Sequence, residues 1–100
     1  MSTLHNLYYK NGSLLAQEFH EESSLHREDG PAYISYHPNG QISMQQWVIN
    51  DEYHRVDGPA ILNYDITGEV VNEVYCLNDQ YIEAYSDEEF KRIVKLLALK

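Results

Sequence analysis

Histidine, arginine and aspartate recur together at one spacing in this sequence. The segment His26-Arg27-Glu28-Asp29-Gly30-Pro31-Ala32 returns as His54-Arg55-Val56-Asp57-Gly58-Pro59-Ala60. A histidine three residues from an aspartate has the composition of an oriented base or of half a metal site. His26 with Asp29, and His54 with Asp57, are therefore the candidates for catalysis or metal ligation. Their duplication argues the other way, because a catalytic centre needs one constellation whereas a fold of repeated units needs the same connector each time. The residue types suit a connector. Glycine permits an unusual φ, proline fixes the direction into the next strand, aspartate caps turn amides, and arginine forks onto aspartate or backbone carbonyls. His26, Arg27, Asp29, Gly30 and Pro31, with His54, Arg55, Asp57, Gly58 and Pro59, are accordingly read as structural residues of a repeat. No catalytic residue, metal or cofactor is assigned. His5, His20 and His37 share no spacing with either segment and receive no role.

Other chemistry is sparse. Cys76 is the single cysteine, which excludes an internal disulfide and a four-cysteine zinc site and leaves a small core hydrophobe as its reading. The glycines form no phosphate-cradling loop, and the carboxylates show no distinctive pairing. Asn11-Gly12-Ser13 has the pattern of a glycosylation acceptor but reads as a turn.

The elements that position the paired segments follow from their offset of 28 residues, which extends far beyond the heptapeptide. Gly12, Gly40 and Gly68 fall in one column, and Tyr8, Tyr36 and Tyr64 in another. Leu14, Ile42 and Val70 form a third, Phe19, Trp47 and Tyr75 a fourth, and Leu25, Tyr53 and Tyr81 a fifth. Asn50-Asp51 is matched by Asn78-Asp79. Three copies run as roughly 5–32, 33–60 and 61–85, the first without a Gly-Pro-Ala lead-in and the third departing from His-Arg-x-Asp at Tyr81-Ile82-Glu83-Ala84. Atypical end copies are what a stacked array requires.

Each copy reads as a hairpin. Ala32, Ile34 and Tyr36, like Ala60, Leu62 and Tyr64, fall on one face of a strand and are expected to be more buried than their odd-numbered neighbours. Turns follow at 37–40, 9–12 and 65–68. In the return strand Ile42 and Trp47 stand five apart, an odd spacing that predicts a bulge or bend near Met44 to Gln46. The last fifteen residues change period. Ser86 and Glu89 form a capping box, Lys91, Arg92, Lys95 and Lys100 lie toward the end, and Phe90, Ile93, Val94 and Leu97 make one apolar stripe. The expected fold is mainly β: an antiparallel meander of three 28-residue hairpin repeats, about six strands over residues 1–85, with a C-terminal capping helix over 86–100, all in one domain.

Charge is distributed unevenly along the chain. Residues 1–85 carry 13 acids against Lys10, Arg27 and Arg55, whereas 86–100 carry three acids and four bases. An acidic surface repels phosphate, which argues against direct contact with nucleic acid or an anionic membrane and favours a partner with a basic surface. Nine tyrosines suit both a pleated sheet and a binding face. Neither a spanning apolar run nor the pattern of a signal peptide is present, so the expected location is the cytoplasm.

The Tyr-x-x-Asn-Gly turns with return strands ending in an aromatic residue resemble MORN-type repeats (membrane occupation and recognition nexus). The longer unit ending in His-Arg-x-Asp-Gly-Pro-Ala is more specifically similar to repeats in proteins encoded by bacteriophages and giant viruses. The match covers residues 8–82, although the ordinary MORN unit is shorter than 28 residues. This resemblance implies a meandering antiparallel sheet that serves as a binding platform, without enzyme activity.

Together these readings predict a phage-encoded protein-binding module that occupies a basic surface of a host nucleic-acid-binding or defence factor. Its candidate contact residues are Asp51, Glu52, Glu69, Glu73, Tyr33, Tyr53 and Tyr81. The alternatives are an antitoxin or immunity protein, a small enzyme or metal protein centred on His26, His54, Asp29 and Asp57, and an assembly component that self-associates through its sheet edges.

Overall fold

Two kinds of turn shape this chain, and both rest on left-handed backbone. In the first, Gly12, Gly40 and Gly68 take φ of 94°, 91° and 96°. Their amides bond to the carbonyls of Tyr9, His37 and Asp65 at 2.9, 2.9 and 3.0 Å. This is the hairpin loop that ends on a positive-φ glycine. In the second, two consecutive non-glycine residues have positive φ: Glu22 and Ser23 (49° and 75°), Asn50 and Asp51 (49° and 67°), and Asn78 and Asp79 (49° and 68°). Two adjacent positive φ values define the tightest hairpin turn, whose twist matches that of the strands it joins. Asn and Asp tolerate this backbone better than Glu and Ser do, so the first of the three is the least legible in the sequence.

These turns connect ten strands in a computed structural model that describes residues 2–98. They are β1 (Ser2–Tyr8), β2 (Leu14–Glu21), β3 (Ser24–Leu25), β4 (Tyr33–Tyr36), β5 (Ile42–Gln46), β6 (Val48–Ile49), β7 (Glu52–Tyr53), β8 (Ile61–Tyr64), β9 (Val70–Leu77) and β10 (Gln80–Ile82). An eight-stranded sheet runs in the order β1-β2-β4-β5-β8-β9-β10 with β3 paired to β2, and β6 and β7 form a separate two-stranded sheet. The strand pairs are antiparallel. Ten segments replace the expected six because each return strand folds back on itself at a two-residue turn, adding β3, β7 and β10, and because the middle return strand breaks at Trp47 into β5 and β6.

The irregularity expected near Met44 to Gln46 lies one residue earlier. Tyr36 pairs with Ile42 but Ser35 pairs with Met44, which leaves Ser43 as the extra residue. Leu15 and Val71 are the extra residues of the flanking hairpins. One added residue shifts the alternation by one, as the odd spacing of Ile42 and Trp47 requires.

Burial departs from the alternation read in the sequence. Ala32 and Ala60 are fully buried, yet Ile34, Tyr36, Leu62 and Tyr64 are half-buried, and so are Tyr33, Ser35, Ile61 and Asn63 between them. The molecule measures 50 × 35 × 17 Å. The strands form one continuous sheet apart from the β6–β7 pair, and the buried apolar residues among those described are only Ala16, Ala32, Val48, Ala60, Tyr75, Cys76 and Phe90, so no extensive second layer covers the sheet. Both faces consequently stay partly open.

Helix α1 (Asp87–Ala98) closes the chain. Ser86 caps it, with Oγ accepting the Glu89 amide at 3.1 Å, while Glu89 Oε1 accepts the Tyr85 amide at 2.9 Å. Acids occupy the first turn, where the helix dipole favours them. Rather than blanketing the sheet, α1 inserts one side chain. Phe90 is fully buried with its ring 4.7 Å from that of Tyr75, and Tyr75 Oη donates to Asp87 Oδ1 at 2.7 Å. Ile93 and Val94 are half-buried, while Leu96 and Leu97 are exposed. Lys100, counted in the basic end of the helix, lies outside the described residues. Among the described residues no helix is long and apolar enough to cross a membrane.

With α1 held by a single anchor, Phe90→Ala should cost about 3 kcal/mol in urea unfolding, in the range for a buried phenylalanine. Ser86→Ala should cost about 1 kcal/mol through the lost cap. An unchanged midpoint for Phe90→Ala would show that α1 is not docked on Tyr75.

Candidate functional site

The two His-Arg-x-Asp-Gly-Pro segments adopt one geometry. Arg27 Nε donates to Asp29 Oδ1 at 3.1 Å and Nη1 donates to the Pro31 carbonyl at 3.2 Å. Arg55 makes the same bonds to Asp57 and Pro59, both at 3.0 Å. Thus held, each guanidinium lies over an aromatic ring, Arg27 Cζ 4.0 Å from the centre of Phe19 and Arg55 Cζ 3.8 Å from that of Trp47. A guanidinium is planar and weakly hydrated, so it can shield an aromatic face while its edge satisfies hydrogen bonds. The arginines thus fork onto aspartate and a backbone carbonyl, as their residue type suggested, while the aspartates hold arginine where the sequence pattern indicated caps for turn amides.

Gly30 and Gly58 differ from the expectation in a second way. Neither has positive φ. Glycine leaves space there instead, because a β-carbon on Gly30 would come within 3.2 Å of Arg27 Cζ and one on Gly58 within 3.1 Å of Arg55 Cζ, close enough that the guanidinium would have to shift by a few tenths of an ångström. Gly58, Pro59 and Ala60 are buried, so the backbone there has little room to yield.

The histidines join one hairpin to the next. His26 Nδ1 accepts the Asn50 amide at 2.9 Å, and His54 Nδ1 accepts the Asn78 amide at 3.0 Å. Each ring thereby carries its hydrogen on Nε2, which for His26 lies 3.2 Å from Glu28 Oε2. With Nδ1 occupied by an amide and the aspartate by arginine, neither pair is arranged as a base with its orienting carboxylate. Among the described residues no three His, Cys, Asp or Glu side chains gather as metal ligands.

Several contacts between neighbouring hairpins carry no signal in one copy read alone. Asp51 Oδ1 accepts the Leu25 amide at 2.8 Å while the Asp51 amide donates back to the Leu25 carbonyl at 3.0 Å. Asp79 does the same to Tyr53 at 2.6 and 2.9 Å. Tyr9 Oη donates to the Tyr36 carbonyl at 2.6 Å, and His37 Nε2 bonds to the Tyr64 carbonyl at 3.0 Å. His37 thus has a structural role that its isolated position in the sequence did not predict. Aligning the chain on its 28-residue offset places these residues in recurring columns, but only the structure shows which columns are bonded to each other.

The proposed contact residues are spread over several elements. Glu52 and Asp51 belong to the β6–β7 hairpin, Glu69 precedes β9 and Glu73 lies within it, all exposed. Asp51 combines exposure with the structural bond just described. Tyr33 and Tyr53 are half-buried, whereas Tyr81 is 66% exposed and available for contact.

Titration behaviour follows local contacts. Hydrogen bonds from Thr67 and from the Glu69 amide hold the Asp65 carboxyl below its ordinary value. Burial, reinforced by the hydrogen bond to Asp87, raises Tyr75 far above a normal phenol. Burial likewise raises the Cys76 thiol, with Asp79 adding to the effect. Cys76 is therefore a packed side chain and a poor nucleophile at neutral pH. A cleft of about 510 Å³ lies between β1 and the Arg27 segment, with Leu4, Phe19, Glu21, His26, Arg27 and Glu28 along it.

Compared with protein-family models, curated proteins and solved structures, the chain finds no match in any of them.

If Gly58 exists to admit the guanidinium, Gly58→Ala should cost about 1 kcal/mol or more by displacing Arg55 from Trp47. Trp47 is the only tryptophan, so its emission should shift in the folded variant. Gly12→Ala, at a positive φ with no atom within 4 Å of the new carbon, should cost about 1 kcal/mol through backbone strain alone and leave the emission unchanged. Equal emission spectra for both variants would refute the packing role of Gly58.

Proposed function

We propose that this chain is three copies of one 28-residue β-hairpin unit working as a non-enzymatic protein-binding module, its acidic, tyrosine-bearing sheet occupying a basic surface on another protein. The observation that carries this reading is the charge an open sheet presents. Two of the three cations in residues 1–85, Arg27 and Arg55, are engaged by Asp29 and Asp57 and by aromatic rings, while Glu22, Glu28, Glu52, Glu69, Glu73 and Glu83 are exposed. A thin sheet open on both faces offers broad area with few apolar pockets, which suits recognition by charge and by amphipathic tyrosine.

A protein that binds nucleic acid presents a basic surface of the complementary kind, and an acidic sheet can stand in for a phosphate backbone. The best-supported partner class is therefore a basic nucleic-acid-binding or defence protein of a host, with the chain as its inhibitor in the cytoplasm. No step of this function requires a metal or cofactor.

Affinity for such a partner should fall on the order of tenfold or more as salt rises from well below to well above physiological strength, where screening shortens from tens of ångströms to a few. Replacing Glu52, Glu69 and Glu73 together by glutamine should weaken binding chiefly by slowing association, read by surface plasmon resonance at several salt concentrations. Asp51 is left intact because its carboxylate holds the Leu25 amide. Affinity indifferent to both salt and the triple substitution would refute the charge-based reading.

A further inference from the structure

The same strand pairing occurs twice between neighbouring hairpins, shifted by 28 residues at every position. Between β2 and β4, Ala16 pairs with Ser35, Gln17 with Ile34 and Glu18 with Tyr33. Between β5 and β8, Met44 pairs with Asn63, Gln45 with Leu62 and Gln46 with Ile61. Side chains repeat as well. Tyr36 Oη donates to Gln17 Oε1 at 2.7 Å, and Tyr64 Oη donates to Gln45 Oε1 at 2.6 Å.

Applied once more, this rule finds a strand on one side only. Beyond β9 the next 28-residue step falls at residues 89–91, which are helical. The β9 segment 70–73 is exposed, beside a groove of about 290 Å³ that it lines with Ala84 and Tyr85. At the opposite edge, β1 carries the residues the rule calls for, because His5, Asn6 and Leu7 stand 28 before Tyr33, Ile34 and Ser35. Every residue of β1 is exposed.

We propose that a second copy of this chain docks its β1 onto the open edge of β9 in the internal register, with Leu7 opposite Asn72, Asn6 opposite Glu73 and His5 opposite Val74. The side chains agree with this assignment. Tyr8 of the second copy takes the place of Tyr36 and Tyr64, and Glu73 takes that of Gln17 and Gln45. The tyrosine then donates to a carboxylate, a stronger acceptor than an amide. Ser23 takes the place of Asp51 and Asp79 in the same left-handed backbone, bringing its hydroxyl to the exposed Tyr81. Two internal contacts are not reproduced: Asp65 replaces His37, and a carboxylate cannot donate to the Tyr8 carbonyl, while Ile82 replaces His54 and cannot accept the Glu22 amide as His26 and His54 accept those of Asn50 and Asn78. Proteins commonly blunt free edges with lysine, proline or other charge. Here β1 has no charged residue and no proline, and Val70–Val74 has Glu73 alone. Pairing of unlike edges is head-to-tail, so the product is an open chain of copies.

This inference rests on the pairing rule and is independent of the acidic face. Salt separates the two, because copies of net charge −9 repel each other. Self-association should therefore strengthen with salt, whereas binding to a basic partner weakens.

Sedimentation velocity of the full chain to about 1 mM should show mass rising with concentration past the dimer. A β9-edge variant, Val70→Lys with Asn72→Lys, and a β1-edge variant, His5→Lys with Leu7→Lys, should each be monomeric alone and form a one-to-one dimer when mixed. A monomer at every concentration would overturn the proposal, as would a β9-edge variant that still dimerises, which would indicate β1 pairing with β1. Register is read separately by oxidising Leu7→Cys with Asn72→Cys, positions about 24 Å apart within one copy across five strand spacings. Directly opposed residues in two copies lie within disulfide reach. A ladder of crosslinked copies is expected, at least fivefold more abundant than for His5→Cys with Asn72→Cys. Equal or absent ladders would overturn the register even if a lysine variant failed to fold.

Discussion

A one-layer sheet has no second layer to cover its aromatic side chains, and everything distinctive in this structure follows from how that is solved. Arg27 lies over Phe19 and Arg55 over Trp47. A guanidinium suits such a position, since it can cover a ring while its N–H groups bond to aspartate and to a proline carbonyl. The whole heptapeptide serves that placement: aspartate and carbonyl hold the arginine, glycine leaves room beneath it, and histidine ties the segment to the next hairpin. In the third column the lid changes chemistry. Glu83 stands where arginine would be, and Phe90 from α1 covers Tyr75. The helix therefore belongs to the same device and ends it.

Using surface arginines as lids has an electrostatic consequence. The sheet region contains few cations, and the two that cover aromatic rings are engaged at close range by their own aspartates. The exposed glutamates of the sheet region, Glu22, Glu28, Glu52, Glu69, Glu73 and Glu83, face solvent with Lys10 as the one lysine of residues 1–85. Solubility accounts for part of that charge, and the proposed basic partner uses the same property. The two free edges, by contrast, are nearly neutral. On the two proposals made above, faces and edges take different partners and respond oppositely to salt.

Much of the architecture was legible in the sequence because backbone constraints leave residue-type signatures. Gly12, Gly40 and Gly68 mark positive φ, Asn50-Asp51 and Asn78-Asp79 mark tight turns, and Ser86 with Glu89 marks the start of the helix. Contacts across the sheet were not legible. Arg27 and Phe19 are eight residues apart, as are Arg55 and Trp47, and they meet only because a two-residue turn brings β3 and the Arg27 segment back along β2. The glycine of the heptapeptide was recognised as necessary but for the wrong reason, since a residue type cannot distinguish a torsional need from a steric one. Glu22-Ser23 gave no turn signal of its own and is found only by its column. At the candidate contact surface, charge was legible from composition, whereas the bond from Asp51 to Leu25 required coordinates.

The central claim is that arginine over an aromatic ring substitutes for a second layer, and a double-mutant cycle on Arg55 and Trp47 tests it most directly. Arg55→Lys retains the charge but loses the planar face and the fork, Trp47→Leu retains apolar bulk but loses the ring, and the double variant completes the cycle. Urea unfolding of the four proteins should give a coupling energy of about 1 kcal/mol or more, with Arg55→Lys markedly destabilised on its own. Additive effects, with Arg55→Lys as stable as the parent, would contradict the account.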